Sequence, residues 1–140
     1  MAGDCVFCSI ISGETHAHRV LETPTIVAVL DHRPLFAGHT LVLPREHVVT
    51  LRELPDQLRD DLFARVQEVA AAVQDAMGAQ GSFVALNNVV SQSVPHLHVH
   101  AVPRTKGDGL RGFFWPRGRY ASEDEAAEVA ERIRALLPPQ

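Results

Sequence analysis

The stretch Ser93-Val94-Pro95-His96-Leu97-His98-Val99-His100-Ala101-Val102-Pro103-Arg104 carries three histidines that alternate with apolar residues before a proline ends the run. Polar and apolar residues in strict alternation predict a β-strand. Because side chains on a strand change faces at every residue, the three histidines are expected to share one face, with the apolar residues between them facing the core.

Three imidazoles on one buried face need partners, since each ring nitrogen must find a hydrogen bond or a metal once water is excluded. The pattern therefore marks a functional site more than a set of ordinary core residues. Two interpretations remain open from the residues alone. The histidines bind a catalytic metal, or one imidazole is a nucleophile that its neighbours orient.

The length and composition are those of an ordinary globular protein. The chain has 140 residues, 46% of them hydrophobic and 21% charged, with a net charge of -4. This predicts a single domain over 1–140, with no general affinity for nucleic acid. The sequence shows no signal peptide and no apolar run long enough to cross a bilayer, so no membrane association and a cytoplasmic location are expected.

Periodicity along the chain predicts a mixed architecture. Strands are expected over 20–22, 26–30, 40–44 and 82–86, in addition to the histidine strand. A long central helix is expected from Leu54 to Gly78, with one apolar stripe facing the core. Its stripe consists of Leu58, Leu62, Val66, Val69, Val73 and Met77.

The last third of the chain is expected to hold a long loop and a second helix. The segment 105–121 is rich in glycine, arginine and aromatic residues, and is interpreted either as a functional loop near the site or a partner subunit, or as a plain surface flap. Residues 122–137 follow as a C-terminal helix that a capping box opens at Ser122. Val129, Ile133 and Leu136 are expected to face inward.

Two other features each allow more than one interpretation. Cys5 and Cys8 form a Cys-x-x-Cys pair at the start of the chain, which suits a metal site, a redox pair or two packed apolar residues, with metal favoured over redox. Asp31 ends an apolar strand and suits either a turn or a ligand-binding carboxylate, with the turn favoured from the residue alone.

The histidine run resembles the signature of the histidine triad (HIT) family of nucleotide hydrolases and nucleotidyltransferases. The similarity extends to the opening segment 5–14, to the segment from Leu30-Asp31 to His47, and to Gln92-Ser93. The chain departs from many relatives at 88–91, where Asn-Val-Val-Ser replaces a longer loop that contains glycine.

The resemblance implies an α+β histidine triad fold with a five-stranded antiparallel sheet in each subunit, one long central helix and a C-terminal helix. It implies a homodimer whose sheets join and a purine nucleotide held over the histidines. Nucleotide contacts carried over by position are Val6, Phe7, Ile10, Val29, Asp31, Asn87 and Gln92.

The resemblance also implies the chemistry. His98, the middle histidine, is the nucleophile that forms a covalent nucleotidyl-histidine at the α-phosphorus, and water then hydrolyses it. His100 and Ser93 would stabilise charge on the phosphate oxygens. His39 would complete a polar relay beneath the triad, in which His96 is the first member.

Zinc-bearing, bacterial-type relatives imply a role for the cysteines. The corresponding ligands here are Cys5, Cys8, His47 and His96. Four protein ligands make a closed tetrahedral site, so the zinc would be structural.

Several functions are compatible with these residues. The first is hydrolysis of purine nucleoside phosphoramidates or related nucleotides at the α-phosphate. The same nucleophile would also suit a diadenosine polyphosphate hydrolase or a nucleotidyltransferase, and the fold without useful turnover would be a nucleotide-binding scaffold. A metalloenzyme with three histidine ligands is the weakest alternative.

Overall fold

The protein is described from a computed structural model that covers residues 4–110 and 118–139. The chain divides into two compact units, Met1–Asp108 and Gly109–Gln140. The single domain over 1–140 stays a prediction.

The elements of the first unit in chain order are α1 (Val6–Ser12), β1 (Arg19–Glu22), β2 (Ile26–Leu30), β3 (Thr40–Pro44), a 3-10 turn (Leu51–Glu53), α2 (Asp56–Ala76), β4 (Gly81–Ala85) and β5 (Val99–Arg104). The five strands form one antiparallel sheet with strand order β1-β2-β3-β5-β4. This confirms the predicted α+β fold. The short helix α1 was not predicted.

The two faces of the sheet bury separate cores. One face packs against α2 and includes Leu97, Val99 and Ala101. The other packs against α1, where Phe7 and Ile10 meet alternate residues of β2 and β3. The apolar residues between the histidines therefore do face a core, as the alternation predicts.

The predicted stripe of α2 is confirmed over four turns. Leu58, Leu62, Val66, Val69 and Val73 are buried along one side. Met77 is the exception, because the helix ends at Ala76 and the Met77 side chain stays 46% exposed. A left-handed Gly78 with φ of 61° follows, as expected at a helix C-terminus.

Helix α1 begins and ends at residues suited to those positions. The Cys5 thiol caps its N-terminus by accepting a hydrogen bond from the Cys8 amide at 3.4 Å. Gly13, with φ of 89°, ends it in the left-handed region that glycine adopts without strain. This short helix thereby places both cysteines and Phe7 on the same side of the sheet.

The histidine segment differs from the prediction in one respect. Strand β5 begins at Val99, so His96 and His98 precede it and only His100 lies within the strand. Pairing with β3 stops at Val99 opposite Val42, and the Leu97 amide donates instead to the carbonyl of Val48 at 2.7 Å. Since Pro44 at the end of β3 has no amide to donate, the ladder cannot continue there in full.

The second unit contains helix α3 (Glu123–Leu136). Its predicted cap is confirmed, because the Ser122 hydroxyl accepts from the Glu125 amide at 3.1 Å. The expected burial is not seen for Ile133, which is 58% exposed, or for Leu136, which is 87% exposed, whereas Val129 is half-buried. Amphipathic spacing predicts an apolar helix face, but it does not show which residues cover that face. Residues 111–117 of the predicted loop 105–121, which include its aromatic block, lie outside the described residues.

No helix in the described part of the chain combines the length and apolarity that spanning a bilayer requires.

Candidate functional site

Four predicted metal ligands come together where α1 meets the end of β3 and the histidine segment. The ligand atoms of Cys5, Cys8, His47 and His96 all lie within 4.8 Å of one another. The His96 Nδ1 atom is 3.4 Å from the Cys5 Sγ and 3.7 Å from the Cys8 Sγ, and the His47 Nδ1 is 3.4 Å from the Cys8 Sγ.

These separations fit a tetrahedral zinc ion. With zinc–sulfur and zinc–nitrogen bonds of about 2.3 and 2.05 Å, adjacent sulfur and nitrogen ligands should be about 3.6 Å apart. The Nε2–H of His96 donates to the carbonyl of Pro44 at 2.8 Å, which leaves Nδ1 with its lone pair toward the cysteines. The residues present therefore suit a structural zinc.

His98 is oriented by a different hydrogen bond. Its Nδ1–H donates to the carbonyl of His96 at 2.7 Å, so the free lone pair is on Nε2. The ring is almost fully buried, and Phe7 packs edge-on against it with centroids 4.9 Å apart. His98 is thus held as a neutral imidazole with a defined nucleophilic nitrogen.

A relay of hydrogen bonds fixes the third histidine. The Leu35 amide donates to Nδ1 of His39 at 3.0 Å, which places the His39 proton on Nε2. That Nε2–H donates to Nδ1 of His100 at 2.9 Å. His100 therefore carries its own proton on Nε2 and is a hydrogen-bond donor, in contrast to His98, whose ring centroid lies 5.0 Å away.

The same relay argues against a metal at Asp31, His39 and His100, although their ligand atoms also lie within 4.8 Å of one another. Both nitrogens of His39 already take part in hydrogen bonds. His96 and His100 also belong to different groups of candidate ligands. The geometry thus disfavours a zinc held by the three histidines of the triad.

Burial keeps the imidazoles of the site neutral. It lowers the pKa of His98 and of His39 below the usual 6.5, although the nearby Asp31 carboxylate acts in the opposite direction on both. The pKa of His100 falls further, to about 4, because burial is reinforced by His98 and His39. Neutral rings are the form that a nucleophile and a hydrogen-bond relay require.

A cavity of about 610 Å³ opens beside this cluster. Five predicted nucleotide contacts line it, namely Val6, Phe7, Ile10, Val29 and Asp31. Phe7 connects it to the triad, since the same ring lines the cavity and packs on His98. An apolar cleft with one carboxylate at its edge is suited to a nucleobase and a ribose.

Asp31 combines both roles that the sequence left open. Its Oδ1 accepts from the Arg33 amide at 2.9 Å, which is a turn contact. Its Oδ2 lies 3.6 Å from Nε2 of His39. The side chain is 18% exposed and lines the cavity, so it remains accessible to a ligand.

The cavity also contains residues that the sequence interpretation missed. These are Thr15, His16, Ala17, His18, Leu30 and Leu41. The rings of His16 and His18 pack edge to face with centroids 4.9 Å apart. The only available signal was the His-x-His spacing before β1, which by itself does not indicate a binding site.

Two predicted nucleotide contacts lie elsewhere. Asn87 and Gln92 do not line the cavity, and their side chains take part in hydrogen bonds around the turn between β4 and the histidine segment. Ser93 follows this turn and is exposed.

An imidazole with a free Nε2 lone pair, a donor imidazole beside it and an adjoining cleft make up a site of the three-histidine class. A search against family models agrees: the HIT domain model matches residues 12–107. The chain therefore belongs to the HIT family.

Known proteins that the chain resembles support this assignment. An uncharacterised HIT-like protein of Mycobacterium tuberculosis (strain CDC 1551 / Oshkosh) is 41% identical over 131 residues, covering 92% of this chain and 89% of that protein. The adenosine 5'-monophosphoramidase hnt1 of Schizosaccharomyces pombe is 31% identical over 135 residues, covering 93% and 98%.

A solved structure shares the fold and bears on the metal. The structure named as a zinc-bound histidine triad family protein from Mycobacterium smegmatis matches with a TM-score of 0.74 and 34% identity, covering 96% of this chain and 99% of that one.

Proposed function

We propose that this protein is a purine nucleotide hydrolase that cleaves nucleoside phosphoramidates or related nucleotides at the α-phosphate. The observation that carries the proposal is the orientation of His98, whose Nδ1–H is bound to the His96 carbonyl so that Nε2 is the free nucleophile. The similarity to a yeast adenosine 5'-monophosphoramidase supports the substrate class.

The reaction proceeds in two displacements. The Nε2 lone pair of His98 attacks the α-phosphorus, a phosphorus–nitrogen bond forms, and the bond to the leaving amine breaks as that amine takes up a proton from solvent. Water then attacks the same phosphorus and returns a proton to solvent, the bond to His98 breaks, and the nucleoside monophosphate leaves. His100, a donor at Nε2, stabilises negative charge on the phosphate oxygens, and Ser93 would assist it.

The nucleotide is positioned by the cleft. Val6, Phe7, Ile10 and Val29 would hold the base, and Asp31 would accept hydrogen bonds from the ribose hydroxyls. His39 acts through His100 by fixing its tautomer.

The decisive experiment is intact-protein mass spectrometry after incubation with adenosine 5'-phosphoramidate and a rapid quench without acid. We expect a transient adduct of one adenylate on the wild type and none on His98→Asn. An adduct that persists in the variant would assign the nucleophile to another residue.

The same experiment separates the alternatives. Turnover of diadenosine polyphosphates in preference to the phosphoramidate would identify the other hydrolase class. Nucleotide binding by a folded protein, without adduct or turnover of either substrate, would identify a scaffold.

We further propose that zinc is bound by Cys5, Cys8, His47 and His96 and has a structural role. The tetrahedral spacing of the ligand atoms supports this, as does the similarity to a structure named as zinc-bound. Elemental analysis of the purified protein should give one zinc per chain.

The homodimer and the cytoplasmic location also stay proposals. Strands β1 and β4 lie at the two edges of the sheet, and joining two sheets requires an edge strand. Light scattering at several protein concentrations would establish the oligomeric state.

A further inference from the structure

The turn between β4 and the histidine segment is strained at two positions. Val89 and Ser91 have φ values of 67° and 63°, the only positive values found for non-glycine residues in the described part of the chain. The left-handed region is strongly unfavourable for a β-branched residue such as valine. A strained turn persists only where surrounding contacts hold it in place.

The side chain of Gln92 supplies two of those contacts. Its Oε1 accepts from the Val89 amide at 3.0 Å, and its Nε2 donates to the carbonyl of Val49 at 2.6 Å. One amide group therefore stabilises the strained residue and ties the turn to the segment that follows β3. Both the oxygen and the nitrogen of this amide therefore have a hydrogen-bond partner within the protein.

Two further hydrogen bonds connect the same two segments. The Leu51 amide donates to Oδ1 of Asn88 at 2.8 Å, and the Leu97 amide donates to the carbonyl of Val48 at 2.7 Å. The contacts thus run along 88–97 on one side and 48–51 on the other. The second segment directly follows His47, one of the candidate zinc ligands.

The position of this turn in the chain connects it to catalysis. Gln92 directly precedes Ser93 and lies six residues before His98. A shift of the turn would therefore displace Ser93 and the backbone that leads into the triad. Small displacements of the groups around a reacting phosphate strongly lower the reaction rate.

We propose that Gln92 is a positioning residue that clamps the turn 87–93 to the segment 48–51, and that it does not contact the substrate itself. The expected effect of Gln92 on the catalytic rate rests on the proposed function. The positioning of the turn by Gln92 can be tested without substrate turnover, by hydrogen–deuterium exchange across 87–93.

The experiment compares Gln92→Ala, Gln92→Glu and Asn88→Ala with a matched control, Gln67→Ala, which removes an exposed amide from helix α2. Hydrogen–deuterium exchange reports on the turn 87–93. Steady-state kinetics with adenosine 5'-phosphoramidate separates kcat from KM.

We expect Gln92→Ala to speed exchange across 87–93 and to lower kcat by about 10- to 100-fold, with KM changed less than about threefold. KM is spared because the turn does not line the nucleotide cleft. Asn88→Ala should show the same pattern with a smaller amplitude. Gln92→Glu keeps an acceptor for the Val89 amide and should fall between wild type and Gln92→Ala, whereas Gln67→Ala should match the wild type.

A loss of kcat in Gln92→Ala without faster exchange, together with wild-type behaviour of Asn88→Ala, would overturn the proposal and make Gln92 a substrate contact. If the wild type turns over no nucleotide, the proposed function fails, and exchange alone then decides the clamp. Faster exchange in Gln92→Ala would support it, and unchanged exchange would overturn it.

Discussion

His96 and His98 are two residues apart, yet they belong to two different candidate sites. His96 donates from Nε2 to the Pro44 carbonyl and presents Nδ1 to the cysteines. His98 donates from Nδ1 to the His96 carbonyl and leaves Nε2 free. Both rings are buried, and burial lowers the pKa of each. The backbone carbonyl that each ring finds therefore decides which nitrogen is available, and with it whether the residue suits a metal or a phosphorus atom.

The largest expected effect separates the two sites by activity. Because His98 supplies the proposed nucleophile, His98→Asn should lower kcat/KM for adenosine 5'-phosphoramidate by roughly 1000-fold or more. Asparagine retains an N–H that can donate to the His96 carbonyl, so zinc content and Tm should remain close to those of the wild type. Activity within tenfold of the wild type would remove the distinction between the two histidines.

The reciprocal change should act on stability. Cys5→Ser removes a buried candidate ligand, so the protein should lose its zinc and its free energy of unfolding should fall by about 3 kcal/mol or more. Thermal unfolding with and without a chelator measures this. The chelator should lower the Tm of the wild type and of His98→Asn equally, and should leave Cys5→Ser unchanged. A wild-type Tm that does not respond to chelation would argue against a structural zinc.

Disruption of the relay should have a moderate effect on rate alone. His39→Leu removes the donor that fixes the tautomer of His100 and should lower kcat by about tenfold, with zinc content unchanged. His39→Gln can accept from the Leu35 amide and donate to His100, so it should recover part of the loss. Equal losses in both variants would show that the imidazole itself is required.

The smallest effect is expected from pH. A nucleophile must be neutral, and burial lowers the pKa of His98 below 6.5, so kcat/KM should stay level as pH falls through 6.5 and decline only at lower pH.

The free energy of unfolding should also decrease as the pH falls. The pKa of His100 is about 4 in the folded protein and near 6.5 when unfolded, so the unfolded chain binds more protons between these values. Stability is complete above 6.5 and should be lost as pH falls toward 4, which Tm measurements across this range would show.

An acid limb of kcat/KM centred above 6.5 would contradict burial as the dominant influence on the pKa of His98.

The sequence was most informative where pattern and local geometry coincide. Apolar periodicity predicted the buried stripe of α2, and alternation predicted that Leu97 and Val99 would enter a core. It was least informative where a partner is required. The spacing of Ile133 and Leu136 predicts that they share a buried helix face, but both side chains are exposed in the described structure. Spacing identifies an apolar face and does not show which residues cover it.

The candidate site divides in the same way. Resemblance of local motifs identified the four candidate zinc ligands and five residues of the cleft from the sequence. It also named Asn87 and Gln92 as nucleotide contacts, which stays a prediction, and the structure shows their side-chain amides in hydrogen bonds around a turn. A motif fixes residue type and position in the chain, but the direction of an amide depends on the backbone it meets.

By itself, then, the sequence determined the order of strands and helices through its periodicity. The resemblance of its motifs to a known family added the α+β fold and the set of side chains able to bind a metal or attack a phosphorus. Only the tertiary structure decided which nitrogen of His96, His98 and His100 carries its proton. The reason is physical: each tautomer is set by one hydrogen bond to a group that is distant in the sequence or defined only by the folded backbone.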